Sequence, residues 1–256
     1  MVEFTDTQLL AWVSAFMWPL TRILGIFSSA PLFAHGGLPM QPRIGLAVFL
    51  AMLVAPGLPA ATQTDVLSWY GLLLLLQQFL IGVAIGFVMG LVFSGIELAG
   101  ELVGMTMGLG FATFFDPQSK GRSSVISQFL SLLALLLFLS ADFHLLLIEI
   151  LVQSFRTLPI ELNVMHWSSI RQIAFWGAYV FSIGVQLSLP VVTALLITNM
   201  MLGVLTRAAP QLNLFGIGFP ITMTVGFLML GLCMPYWSTP LLRMLRGGLE
   251  LIRQIN

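Results

Sequence analysis

The sequence predicts an all-α membrane protein of about six long, partly kinked hydrophobic helices arranged as hairpins, and three observations carry that prediction. Of its 256 residues, 58% are hydrophobic and only 8% are charged, with a mean hydropathy of +1.01. That is more apolar surface than one soluble core of this size can hide, so lipid or a partner must cover the rest. The apolar residues gather into six long stretches, 9–33, 44–58, 66–96, 125–152, 173–205 and 214–242. The breaks between them hold turn formers: His35-Gly36-Gly37-Leu38-Pro39 with Pro42, Pro56-Gly57-Leu58-Pro59, Asp116-Pro117 with Gly121, and Pro210.

The first stretch is preceded by Glu3 and Asp6 and by no Lys or Arg before Arg22. A cleaved secretory signal needs a basic start, so this segment is expected to stay in the mature protein. Within it Arg22 sits between Trp18 and Ile26, where an unpaired charge is expensive. It is expected to snorkel or pair with a carboxylate of a neighbouring helix, or else to face a pore or a subunit interface. Stretch 44–58 is marginal against the roughly 20 residues that span a ~30 Å hydrocarbon core. In the third stretch Gly82, Gly86 and Gly90 repeat every fourth residue on one face, the spacing that lets a second helix come close.

Just beyond, Glu97 and Glu101 lie one turn apart, either as a working acid pair or as the wet end of a helix. In the fourth stretch Asp142 and Glu149 share a face, with His144 on another. They mark either a proton path or a hairpin tip at Ser140-Ala141-Asp142. The fifth would run ~50 Å if straight, and Pro190 in its middle is expected to kink or break it. Near the end of the last stretch Cys233, the one cysteine, lies in an apolar run. It can form no internal disulfide and reads as a packing thiol.

Ten basic and ten acidic residues cancel, leaving no net field to recruit nucleic acid. No HExxH pair, P-loop or GxSxG elbow is present, and His35, His144 and His166 fall in separate segments. No catalytic activity, cofactor or metal is therefore expected. With an outside start and six spans, one side collects Arg43, Lys120, Arg122 and Arg207, and the other Arg156, Arg171, Arg243, Arg246 and Arg253. That balance lacks the usual positive-inside bias, so either insertion is assisted or some segments do not cross.

The segment 105–120 joins Met105, Met107, Gly104, Gly108 and Gly110 to Phe111, Phe114, Phe115 and Asp116-Pro117. Deformable apolar side chains on a glycine-rich backbone suit a seal that closes on nothing and reopens around a varied polypeptide. They equally suit a re-entrant connection that fills a packing gap.

Several segments together resemble one family. They are Arg207-Ala-Ala-Pro-Gln-Leu-Asn-Leu-Phe-Gly-Ile-Gly-Phe-Pro220, Trp18-Pro-Leu-Thr-Arg22, Ser29-Ala-Pro31, Gly110-Phe-Ala-Thr-Phe-Phe-Asp-Pro117 and Phe155-Arg-Thr-Leu-Pro159. In order and in length the chain resembles the FliR family, the export-gate subunit of flagellar type III secretion, which has injectisome homologues. The resemblance implies a non-enzymatic, channel-forming subunit of the bacterial inner membrane and flagellar basal body. Its implied partners are FliP-type, FliQ-type and FlhB-type subunits, unfolded export substrates and membrane lipid.

It further implies a FliP-like part over 1–170 and a FliQ-like hairpin over 171–256. Gly110 to Pro117 would plug the closed pore, sealed by Phe111, Phe114 and Phe115 beside Met105, Met107 and Gly108. Arg207, Pro210, Gln211, Asn213, Phe215, Gly218 and Pro220 form the family motif, read either as a subunit contact or as a hairpin connector. Bottom-up, that motif predicts a sharp turn, with Pro210 ending a helix, Asn213 bonding the turn and Gly216 and Gly218 allowing close approach. The reading from a different class is a secondary transporter of small solutes using Arg22, Asp142 and Glu149 near the midplane.

Overall fold

The computed structural model describes residues 6–34, 39–57, 66, 68–110, 124–161, 167–209 and 214–255. Every regular element among them is helical, as composition requires: α1 (Asp6–Ser29), α2 (Pro31–Ala34), α3 (Met40–Val54), α4 (Trp69–Thr106), α5 (Val125–Ser140), α6 (Phe143–Thr157), α7 (Trp167–Ala208) and α8 (Leu214–Ile255). Among the described residues, four segments are long and apolar enough to cross a membrane: Met40–Gly57, Trp69–Thr106, Arg171–Ala208 and Gly216–Gln254. A fifth joins them if α5 and α6 count as one broken span.

Two expectations change. The segment read as marginal qualifies, because its helix starts four residues earlier, at Met40, and the 3-10 turn Ala55–Gly57 extends it. Pro190 does not break α7, which runs unbroken for 42 residues. A proline removes one backbone bond, and in an apolar setting the neighbouring groups have no water to take the place of theirs. Helix α8 carries Pro220, Pro235 and Pro240 inside it in the same way. The fourth stretch does break, at Ala141 and Asp142, where Asp142 takes a left-handed φ of 57°.

The chain forms two compact units, one of Met1–Gly90, Asp142–Ala174 and Gly247–Asn256, the other of Leu91–Ala141 and Phe175–Arg246. In the first, α1 crosses α4 with almost no side chain between them. A Cβ at Gly82 would lie 2.1 Å from the Arg22 carbonyl oxygen, and one at Gly25 2.4 Å from that of Phe79. In the same crossing the Ser29 hydroxyl donates to the Val83 carbonyl at 3.0 Å. Helix α3 packs on α1 and buries Ala47, Leu50, Ala51 and Val54, which fall on one face at helical spacing. Its other face exposes Phe49, Met52 and Leu53. Helix α6 buries Phe143, Leu147, Ile150, Leu151, Ser154 and Phe155 in this unit.

The second unit is organised by an antiparallel hairpin of α4 and α5. Phe93 meets Phe138 edge-on at 6.2 Å, Glu97 meets Ser131, Gly100 meets Ser127 and Gly104 meets Ser124. Rising numbers on α4 thus face falling numbers on α5. Helix α7 packs on α4 where a Cβ at Gly95 would lie 2.9 Å from Ile183 and one at Gly184 2.7 Å from Leu98.

Candidate functional site

The end of α4 shows how the candidate loop leaves the helix. Leu109 N–H donates to the Gly104 carbonyl and Gly108 N–H to the Met105 carbonyl, both at 3.0 Å, while Gly108 has φ +88°. These are the two bonds and the left-handed glycine of a Schellman termination, with Met107 as the last half-helical residue. The Met107 side chain is fully buried, whereas Met105 is 64% exposed on the last turn of α4. Met105 therefore belongs to the helix and not to the loop.

Helix α8 receives this turn. The Thr222 hydroxyl shares its proton between the Phe219 carbonyl at 3.0 Å and the Met107 carbonyl at 3.3 Å. A Cβ at Gly226 would meet three side-chain atoms of Met107 at 2.6 to 2.8 Å, and one at Gly108 would touch the Phe219 ring at 3.3 Å. Thr222, Gly226 and Phe219 were missed by sequence reasoning. The available signal was a Gly and a Thr four apart on one face of an apolar helix, which names no partner by itself.

In the first unit Arg22 is fully buried. Its Nε donates to Gln78 Oε1 at 2.8 Å, and Nη2 reaches the same oxygen. Nη1 donates to Ser154 Oγ at 2.9 Å and Nη2 to the Leu158 carbonyl at 2.9 Å. The guanidinium lies 4.0 Å from the centre of the Phe155 ring, a cation–π distance. Snorkelling or a carboxylate partner was expected; instead the side chain is buried and neutral acceptors and a ring face hold its charge. Because the charge can stay on while the guanidinium makes four hydrogen bonds to oxygen, no acid is needed nearby.

The acids are dispersed. Glu101 accepts the Ser124 N–H at 2.9 Å and Glu97 the Ser131 hydroxyl at 3.2 Å, so both carboxylates fasten the start of α5. Glu149 pairs at 3.8 Å with Arg253, each about half exposed, and accepts from Gln153 at 2.9 Å. Asp142 precedes α6 instead of sharing its face with Glu149. No hydrogen bond or ion pair joins Asp142, His144 and Glu149.

A family model described as "Bacterial export proteins, family 1" matches residues 13–247. Over 235 residues the chain is 47% identical to the flagellar biosynthetic protein FliR of Pectobacterium carotovorum subsp. carotovorum, covering 92% of this chain and 90% of the relative. Identity to the flagellar biosynthetic protein FliR of Escherichia coli (strain K12) is 42%, with the same coverage. To the one of Bacillus subtilis (strain 168) it is 32% over 224 residues, or 86% of each chain. The chain belongs to the FliR family of bacterial export proteins.

Two of the segments that carry the FliR resemblance meet in space, since Arg22 ends one and Phe155 with Leu158 belongs to the other. Of the motif 207–220, Arg207 is exposed on the last turn of α7. Phe215 lies in the first turn of α8, Gly218 is buried and Pro220 exposed inside it. From Leu214 on the motif is helical despite Gly216 and Gly218, so the turn expected over Pro210 to Pro220 does not reach past Leu214. Pro210, Gln211 and Asn213 lie outside the described residues, as do Phe111, Phe114, Phe115, Asp116 and Pro117. Gly110 ends the described part of the loop. On the α4 face against α1, a Cβ at Gly86 would lie 2.2 Å from Ser29 Oγ, and one at Gly90 3.4 Å from the Ser29 carbonyl.

Proposed function

We propose that this chain is a structural, non-enzymatic subunit of the flagellar type III protein export gate in the bacterial inner membrane. It contributes to the pore and its plug, through which unfolded flagellar proteins leave the cytoplasm. Its partners are FliP-type and FliQ-type subunits and an FlhB-type subunit, with a FliP-like part over 1–170 and a FliQ-like part over 171–256. Residues 110–117 form the plug, with Phe111, Phe114 and Phe115 as its seal, and the motif from Arg207 to Pro220 contacts neighbouring subunits. The observation that carries this reading is the family match over 13–247, together with relatives named flagellar biosynthetic protein FliR along nine-tenths of the chain. The enclosure of Arg22 agrees with it, because a solute carrier would need that charge within reach of its cargo.

Native mass of the complex pulled out by a tag on this chain, in mild detergent with its genomic neighbours co-expressed, tests the proposal. One large hetero-oligomer containing one copy of the chain is expected; a monomer or self-dimer would favour solute transport. In the assembled complex, replacing Phe111, Phe114 and Phe115 together with Ala is expected to leave assembly intact and make the closed pore leak ions. An unchanged leak would remove the plug.

A further inference from the structure

We infer that the contact of the Met107–Gly110 turn with α8 is the footing that sets where the plug segment starts, with Met107, Thr222, Gly226 and Phe219 as its positioning residues. The inference rests on the reading that residues 110–117 close the pore. Three features carry it. The Schellman termination fixes the direction in which the chain leaves α4, through the bonds Leu109 to Gly104 and Gly108 to Met105. A helix end leaves carbonyls without partners inside the helix, and the one at Met107 is met by Thr222 from α8. The Met107 side chain then fills the space that Gly226 leaves by lacking a Cβ, and Phe219 covers Gly108.

Met107 is the buried counterpart of exposed Met105 two residues earlier. One methionine anchors and the other does not. A seal that must reopen needs a movable part joined to a fixed one, or the whole helix end would shift with each substrate. The turn supplies the fixed part: its backbone bonds are local, and its three contacts all fall within two turns of α8. Phe219 and Gly226 lie seven residues apart, with Thr222 between them on the same face.

The test uses the assembled complex in liposomes loaded with potassium, with native mass as the control for assembly. Thr222→Val keeps the side-chain shape and removes the donor, and it is expected to raise the potassium leak about fivefold, the scale of one hydrogen bond. Gly226→Ala pushes a methyl into Met107 and is expected to raise it about tenfold or more. Met107→Ala empties that space, so adding Gly226→Ala to it should raise the leak no further; contacting residues are not additive. Purely independent, additive effects of those two changes would overturn the footing. So would a normal leak in Thr222→Val and Gly226→Ala alongside a leaking Phe111, Phe114 and Phe115 triple variant, while leaving the plug itself standing. A normal leak in the triple variant would remove the plug and the footing together. Should Gly226→Ala fail to assemble, Thr222→Val decides alone.

Discussion

At the scale of single residues, Arg22 is where the sequence said most about need and least about partners. An arginine between Trp18 and Ile26 has to be held by something, and the apolar run says so. That the holders are Gln78, Ser154, a carbonyl and a ring was not legible, because neutral acceptors more than fifty positions away leave no charge pattern to match. Gln78 alone had a trace, as a polar residue inside the run Leu72 to Ile81. Its orientation follows from Arg22: Oε1 takes two guanidinium donors, which leaves the buried Nε2 without a partner. Replacing Arg22 by Met removes the charge while keeping much of the length, and it strands Gln78 Oε1 in a dry site. The expected cost is about 3 kcal/mol, as for a broken buried polar cluster. Adding Gln78→Leu should recover a large part of that loss, since an apolar pair of similar size carries no desolvation burden. Unfolding midpoints of the complex in mild detergent, compared across the two single variants and the double, give the coupling. Equal midpoints for Arg22→Met and the wild type would show that the cluster holds nothing.

At the scale of elements, the helices were legible because hydrophobic runs and turn formers alternate so plainly. Their ends and continuity were less so. Pro190 reads as a kink or a break in sequence, and α7 passes through it without a break, since propensities measured in water lose force where water is absent. The break that does occur, at Asp142, has no proline at all and depends on one left-handed residue. The glycine spacing on α4 announced a close helix without naming it, and α1 answers with its own Gly25. The three glycines of that stripe are not equivalent, which the sequence cannot show. A Cβ on Gly82 would collide with backbone at 2.1 Å, whereas on Gly90 it would meet its nearest atom at 3.4 Å, an ordinary contact. Gly82→Ala is therefore expected to push α1 off α4 and cost about 2–3 kcal/mol or more. Gly90→Ala should be neutral or gain up to about 1 kcal/mol from helix propensity. Thermal midpoints of the two variants in the assembled complex separate them, and equal losses would contradict the crossing.

At the scale of the molecule, helix length decides what covers the apolar surface. Helix α7 exposes Phe175, Phe181, Val185, Leu189, Leu196, Met200, Met201 and Val204, a run from Phe175 to Val204 of about 44 Å at 1.5 Å per residue. A hydrocarbon core is ~30 Å thick. Laying the whole run inside it takes a tilt of roughly 47°, beyond the 0–40° that membrane helices adopt. Lipid covers part of this face, and protein must cover the remainder, because apolar side chains projecting past the core would otherwise meet water. The same arithmetic leaves α8 alone, since its exposed residues from Ile217 to Tyr236 extend about 29 Å and fit the core upright. A photoreactive phenylalanine analogue placed at Phe175 and, separately, at Val204 is therefore expected to form a covalent adduct with another protein at one end of α7 or the other. The same analogue at Phe227, mid-way along the exposed run of α8, is satisfied by lipid. Adducts with lipid alone at both ends of α7, in a complex of full native mass, would mean that the helix lies flatter than a spanning helix does, and the argument for a protein partner along it would fall with its geometry.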